Sequence, residues 1–384
     1  MKALVIGCGI GGPVTAMALR EAGIDAEIYE AYGQGAENVG SFLNLASNGL
    51  AALRVLGAHR EVLSSAIPTP RMVMWSGTGK RLGEVANGLR LDDGTVSHTV
   101  LRSDLYAALR DEVVRRGVPI SYGKRLTSFE DTGDEVVATF EDGTTATGDL
   151  LIACDGVHSR TRSLLDPAAP GPRYSGLYSF GGIVRDAGAS GEPGVYNMVF
   201  GKRAFFGYTV AESGETWWFA NLPRRLGDVP DDWKPALVEA FEHDANFSAD
   251  LVRRSPVELA LPVHDLPPVP VWHRGRVLLT GDAAHATSPS SGQGASLAIE
   301  DAIVLARCLR EASHPGGHRE AFERFEAERR PRVERVVAYS RTISNSKAAG
   351  PVARVFRDLM LPVFLKKSAS QESLAWMYRH QVSL

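Results

Sequence analysis

The sequence predicts an α/β protein: a Rossmann-like domain with an inserted, mostly antiparallel β-sheet domain, closed by a long C-terminal helix. Three observations carry this. The chain opens on an apolar strand, a glycine-rich turn and a helix, the order a βαβ nucleotide unit requires. Residues 170–265 hold a succession of strand-like segments with many aromatics. His318–Lys347 then carries one sustained helical pattern.

The opening strand is Lys2–Ile6, and the helical stretch Pro13–Ala22 follows Gly7-Cys8-Gly9-Ile10-Gly11-Gly12. Gly7 permits the tight turn, Gly9 lets backbone approach a pyrophosphate, and Gly12 lets the helix pack closely on the strand. Free N–H groups at the helix start attract the anion. A second strand, Ala26–Tyr29, ends at Glu30-Ala31, where an acid can accept hydrogen bonds from ribose hydroxyls. This motif alone fits NAD and FAD equally.

Gly40–Asn48 reads as a loop or helix entry, followed by a helix through about Leu56. Arg71–Trp75 and Thr95–Leu101 alternate with period two, as strands of a sheet separate from the parallel one do. Arg102–Arg116 is a helix with Leu105, Ala108 and Leu109 on one face. Val118–Tyr122 is a strand, and Glu135–Phe140 and Thr144–Gly148 form a hairpin about Glu141-Asp142-Gly143. Leu150–Ala153 is a buried strand delivering Asp155-Gly156. Ser179–Arg185, Val195–Phe200, Ala204–Val210, Thr216–Asn221 and Val257–Val263 make the inserted sheet. Arg276–Thr280 runs into Gly281-Asp282, a Pro/Ser/Gly loop and a helix from about Gly294.

In the tail, Pro331 should break or kink the long helix. Pro351–Lys367 reads as a second helix whose stripe of Val352, Val355, Phe356, Leu359 and Val363 packs on the body; a membrane-surface role for it, with Lys366 and Lys367, is the lesser reading. The expected division is a nucleotide domain of 1–70, 100–170 and 272–315, a substrate domain of 71–99 and 171–271, and a helical segment of 316–384.

Composition narrows the function. With 384 residues, 44% hydrophobic and 23% charged, the chain is an ordinary globular protein. A net charge of −3 argues against phosphate-neutralising nucleic-acid binding. Cys8, Cys154 and Cys308 lack metal or disulfide spacing, and Cys8 and Cys154 read as small packing groups. No HExxH or carboxylate cluster points to a metal. No secretory signal or spanning run is apparent, so the expected place is the cytoplasm, without stable membrane association. A monomer or homodimer is expected.

Three strand ends from distant parts of the chain thus carry glycine or acid signatures, and an elongated ligand touching all three explains them economically. Glycine-rich turn with Glu30, then Asp155-Gly156, then Gly281-Asp282 with Pro289 and Gly292-Gln293-Gly294, resembles the single-component, para-hydroxybenzoate-hydroxylase-like FAD monooxygenases. That family includes salicylate, polyketide and tetracycline-modifying enzymes. The resemblance covers nearly the whole chain. It implies resident FAD, NADH or NADPH as a transient co-substrate bound in a surface groove, and O2. The implied activity is hydroxylation of an aromatic or polyketide-like small molecule through a C4a-hydroperoxyflavin, with no side-chain nucleophile. Epoxidation, Baeyer–Villiger insertion, reduction or a non-catalytic FAD-binding subunit are the alternatives on the same scaffold.

The same resemblance assigns roles. Glu30, with Ala31, would hold the adenosine ribose, and Gly9, Ile10, Gly11 and Gly12 the pyrophosphate. Arg102 would reach the FAD, as would Leu126. Asp155 belongs to the motif linked to FAD and nicotinamide, and Asp282 would bind the ribityl or pyrophosphate side. Pro289, Gly292, Gln293, Gly294, Ala295 and Ser296 would lie beside the isoalloxazine ring. Asn48 matches a family position, although Ser47 stands where proline is common. His285 reads as structural rather than as a base. The substrate wall is expected among Phe180, Phe200, Phe205, Phe206, Tyr208, Trp217 and Phe219, of which strand alternation lets only some face the pocket.

Overall fold

The computed structural model describes residues 1–33, 42–185, 188, 191–257, 260–347, 354, 356–362 and 374–384. Its first sheet has six strands, in the order His273–Arg274, Val277–Leu279, Leu150–Ala153, Lys2–Ile6, Asp25–Tyr29 and Ile120–Ser121. All neighbours run parallel except the first pair. The central strands are unbroken apolar runs, buried almost throughout, as strands covered on both faces must be. Register sets Ile6 beside Ala153 and Ala153 beside Leu279. The segments leaving these three strands therefore emerge side by side from one edge of the sheet, which is how motifs far apart in sequence come together.

Helices Gly11–Glu21 and Gly294–Glu311 pack against each other on this sheet. The second is buried without a break from Ser296 to Ala306, the mark of a helix enclosed on all sides. At the first turn Gly7 adopts φ +100°, and a Cβ there would stand 2.6 Å from the Cys154 carbonyl oxygen. A Cβ at Gly12 would lie 1.9 Å from the Gly7 carbonyl oxygen. Both glycines are required by backbone crowding.

The second large sheet has seven strands, ordered Leu261–Asp265, Arg173–Val184, Thr216–Pro223, Phe205–Val210, Val195–Phe200, Arg71–Ser76 and Arg81–Ala86. It is antiparallel apart from the pairing of Val195–Phe200 with Arg71–Ser76. His98–Leu101 belongs to neither large sheet; it pairs with Phe42–Leu45 and Ile67–Pro68. Helices Trp233–Phe241 and Ser248–Arg254 bury their apolar faces in the same cluster as one face of the seven-stranded sheet.

Register decides which aromatics lie on which face. Phe200 pairs with Phe205, and Gly207 with Phe219, on one face. Phe206 pairs with Ala220 and Tyr208 with Trp218 on the other. Phe206 stacks on Trp218 at 5.4 Å and meets Phe241 edge-on, while Tyr208 meets Phe247. Phe180 belongs to this same back-face cluster. The Phe219 ring lies directly over Gly207, where a Cβ would stand 2.0 Å from the ring.

His318–Lys347 runs as one helix through Pro331, so of the expected break or kink the break is absent. Proline costs one N–H bond, but Phe322 and Phe325 before it, and Val333 and Val336 after it, are fully buried. In the following segment, Phe356 and Leu359 are 66% and 64% exposed rather than packed on the body. Val352, Val355, Val363, Lys366 and Lys367 lie outside the described residues, as do Gly40 and Ser41. No described helix is long and apolar enough to cross a membrane.

Gly12→Ala is expected to lower stability by about 1–3 kcal/mol through forced displacement of the first turn. Urea denaturation checks it; an unchanged midpoint would contradict the crowding seen at Gly7.

Candidate functional site

A cavity of about 680 Å³ lies between the edge where the three strands end and the seven-stranded sheet. The first turn contributes Gly9, Ile10 and Gly11, and Arg102 projects from the start of helix Arg102–Arg115. The third strand end contributes Gly281 and Asp282, and the loop beyond it Pro289, Gly292, Gly294 and Ala295. Phe200 and Phe219 line the opposite wall, with Met72, Met74, Tyr196 and Met198.

Two helix N-termini, Gly11–Glu21 and Gly294–Glu311, contribute residues to this space. Neither has a side-chain cap or an acidic residue in its first turn. Helix starts of this kind leave N–H groups and partial positive charge available to an anion. A Cβ at Gly9 would meet nothing within 4 Å, so the turn is open toward the cavity. Gly292 sits in the left-handed region at φ +63°, turning the loop into the second helix. Ser340 of the long helix fixes this loop: its hydroxyl donates to the Ser288 carbonyl at 2.8 Å and accepts from the Ser291 N–H at 3.2 Å.

The acids divide by environment. Glu30 accepts the Cys8 N–H at 2.6 Å and the Tyr32 N–H at 3.0 Å, which fixes its carboxylate beside the glycine turn. Asp155 takes the Thr161 N–H and hydroxyl on one oxygen, leaving Oδ1 buried without a hydrogen-bond partner. An orphaned acceptor of that kind fits a hydroxyl-bearing ligand. Asp282 is exposed to the cavity yet enclosed by protein, and desolvation raises its pKa against the pull of His285 and Arg102. The open turn, the uncapped helix starts and the unsatisfied acid fit a dinucleotide with a polyhydroxyl linker. Gly9–Gly12 and Glu30 would hold its adenosine diphosphate half, and the Gly292–Ala295 turn the ring half.

Beneath the site lies a buried ion network that the sequence reading did not find. Asp301 accepts the Gly281 N–H at 2.9 Å, His285 Nε2 at 2.6 Å and Arg329 Nε at 2.7 Å. Glu300 pairs with Arg329 at 2.8 Å and with Arg332 at 2.7 Å. Arg332 also donates to the Trp376 and Met377 carbonyls, drawing that segment over the cavity, where Met377 and Tyr378 form part of the lining. Burial pushes the Asp301 and Glu300 pKa values up, but the attraction of His285 and Arg329 on Asp301, and of Arg329 and Arg332 on Glu300, holds both below the ordinary carboxylate range. The available signal was Glu300-Asp301 inside the otherwise apolar run ASLAIEDAIVLA, since buried acids need partners.

Other predicted residues stand behind the cavity wall. Asn48 donates to Gln293 at 3.0 Å and to Glu300 at 2.7 Å, tying helix Ser47–Val55 to the loop. Ser296 meets Gly49 at the helix crossing. Gly7 and Gly12 shape the turn from behind, Leu126 is a core residue, and Ala31 does not line the cavity. His285 is buried, with Nε2 2.6 Å from Asp301 Oδ2. Phe206 and Tyr208 are corrected: their strand register turns them to the helix-covered face, away from the cavity. Phe180 shares that fate. Trp217 is on the cavity side, but Phe42 and Tyr196 cover it.

Fold and site together define a flavin-binding α/β oxidoreductase. The family model described as FAD binding domain matches residues 1–340, and the chain belongs to that family of FAD-dependent monooxygenases. It is 32% identical over 349 residues to the FAD-dependent urate hydroxylase of Klebsiella pneumoniae subsp. pneumoniae, covering 89% of each chain. It is 31% identical over 352 residues to 6-hydroxynicotinate 3-monooxygenase of Pseudomonas fluorescens, covering 86% of this chain and 88% of the other. Klebsiella pneumoniae HpxO, solved with FAD and uric acid, superposes with a TM-score of 0.87 at 28% identity, covering 98% and 97% of the two chains.

Arg329→Met is expected to destabilise the protein by about 3–5 kcal/mol, because two buried carboxylates lose the cation they share. Chemical denaturation measures this. Since the folded pKa of Asp301 is depressed, its stabilising contribution is full above the ordinary carboxylate range and fades as pH falls through the lowered value. Calorimetric melting should show a steeper acid loss in the native chain than in Asp301→Asn.

Proposed function

We propose that the protein hydroxylates a planar, electron-rich aromatic small molecule, taking electrons from NADH or NADPH and oxygen from O2. One observation carries this reading: a single cavity is lined at one end by the glycine turn and at the other by Tyr196, Phe200 and Phe219. Cofactor and substrate can therefore share one enclosed space. The likeness to urate and 6-hydroxynicotinate hydroxylases supports an aromatic substrate. FAD, when bound, supplies the redox and oxygen-activating chemistry.

The chain's own groups orient and shield. The N-terminus of helix Gly294–Glu311 favours negative charge at the ring side of the site. Arg102 and Asp282 place opposite charges where the linker would run. The methionine and aromatic wall excludes water and grips a flat apolar body. Asp155, with its free Oδ1, would accept a ligand hydroxyl. The cytoplasm, with its supply of reduced nicotinamide, is the proposed compartment.

Purified protein should be yellow and release FAD on denaturation. With a panel of phenols and hydroxylated nitrogen heteroaromatics, some compounds should accelerate NAD(P)H oxidation, and isotopically labelled O2 should appear in the product. Cofactor-loaded protein that oxidises NAD(P)H without labelling any product would sink the reading. Gly207→Val should push Phe219 into the cavity and raise KM for the largest accepted substrates by about tenfold, with FAD content unchanged.

A further inference from the structure

A cation stands in the aromatic wall. Lys347 lines the cavity, its Nζ 4.4 Å from the Phe205 ring centroid and 5.6 Å from that of Phe219. It donates to Asn221 Oδ1 at 3.1 Å, and Asn221 Nδ2 in turn donates to Ser179 Oγ at 3.2 Å. Ser179 also lines the cavity. Ser179, Asn221 and Lys347 form a polar row between aromatic rings, on the face where the substrate would lie. An ammonium has three donors, and Asn221 is the hydrogen-bond partner seen among the described residues.

We propose that Lys347 is a substrate-binding residue that takes the proton of an aromatic hydroxyl and pairs the ammonium so formed with the resulting oxyanion. The preferred substrates are then phenols. This rests on the aromatic-hydroxylase reading. In the step, the hydroxyl O–H bond breaks, its electron pair stays on oxygen, and the proton bonds to the Nζ lone pair. Nothing is oxidised or reduced. An aromatic oxyanion pushes electron density into its own ring, which makes ring carbons better targets for an electrophilic oxygen donor.

The setting suits that step. Burial lowers the Lys347 pKa to about 7, so near neutrality much of it is a free amine able to accept a proton. The titratable groups around it leave this intact. Arg357, over Phe200 at 4.5 Å, is paired with Asp358 at 2.8 Å. Tyr339 and Tyr378, which also line the cavity, are kept neutral by burial. No carboxylate contributes to the Lys347 shift.

The test uses FAD-loaded protein with para-nitrophenol, whose phenolate has its own visible absorption band, and para-nitroanisole, which has no proton to give. At a pH just below neutrality, where most free nitrophenol is still protonated and part of Lys347 is free amine, the bound probe should show the phenolate band beyond that of the free probe. Lys347→Met should abolish that band and weaken nitrophenol binding by about tenfold, leaving nitroanisole binding unchanged. Lys347→Gln, which removes both the charge and the amine lone pair, should also lose the band, and it serves if the methionine variant does not load FAD. Failure of nitrophenol to bind, a neutral bound probe, or a band that persists in either variant that loads FAD overturns the proposal. A phenolate band in protein that never incorporates labelled oxygen into any phenol would instead overturn the hydroxylase reading and leave the Lys347 assignment standing.

Discussion

The pairing of Glu300 and Asp301 with Arg329 is the interaction on which the other parts of the site depend. It is fully buried and joins four segments: the end of strand Val277–Leu279, helix Gly294–Glu311, helix His318–Lys347 and the stretch around Trp376. Two acids taken from water are costly, and two arginines with a full set of hydrogen bonds offset that cost. Through the Gly281 N–H, Asp301 fixes the turn that carries Asp282. Through Asn48 and Arg332, Glu300 fixes the loop neighbour Gln293 and the segment that helps enclose the cavity. The network thus specifies one arrangement of pieces that hydrophobic burial alone would hold less uniquely.

The glycine-turn half of the cavity was legible in the sequence because its requirements are local. A turn with φ +100° at Gly7, or a backbone contact at Gly12, leaves glycine in the chain whatever the rest of the fold does. Parallel strands then add the long-range part, since apolar runs ending in Gly-Asp or Asp-Gly must finish at the same sheet edge. Gly281, Asp282, Pro289 and Gly292 were therefore placed from spacing and resemblance without knowledge of any contact.

The aromatic half was less legible, for an equally physical reason. Phe205–Val210 is buried on both faces along its whole length, so it shows no alternation between apolar and polar. Phe206 and Phe205 look alike in sequence, and only register against Phe200 and Asn221 separates them. The ion network escaped because Asp301 and Arg329 sit on different helices. The expected break at Pro331 was a local inference overridden by the core residues on either side of it.

Gly207 shows how such a wall could change over time. The Phe219 ring rests on bare backbone there, so the sheet itself is the floor beneath the aromatic surface. Any atom added at that position works as a shim under the ring, lifting it into the room left for the ligand. Molecular fit at this surface can thus be retuned from behind, by a residue that touches neither cofactor nor ligand, while the groups facing the ligand keep their identities.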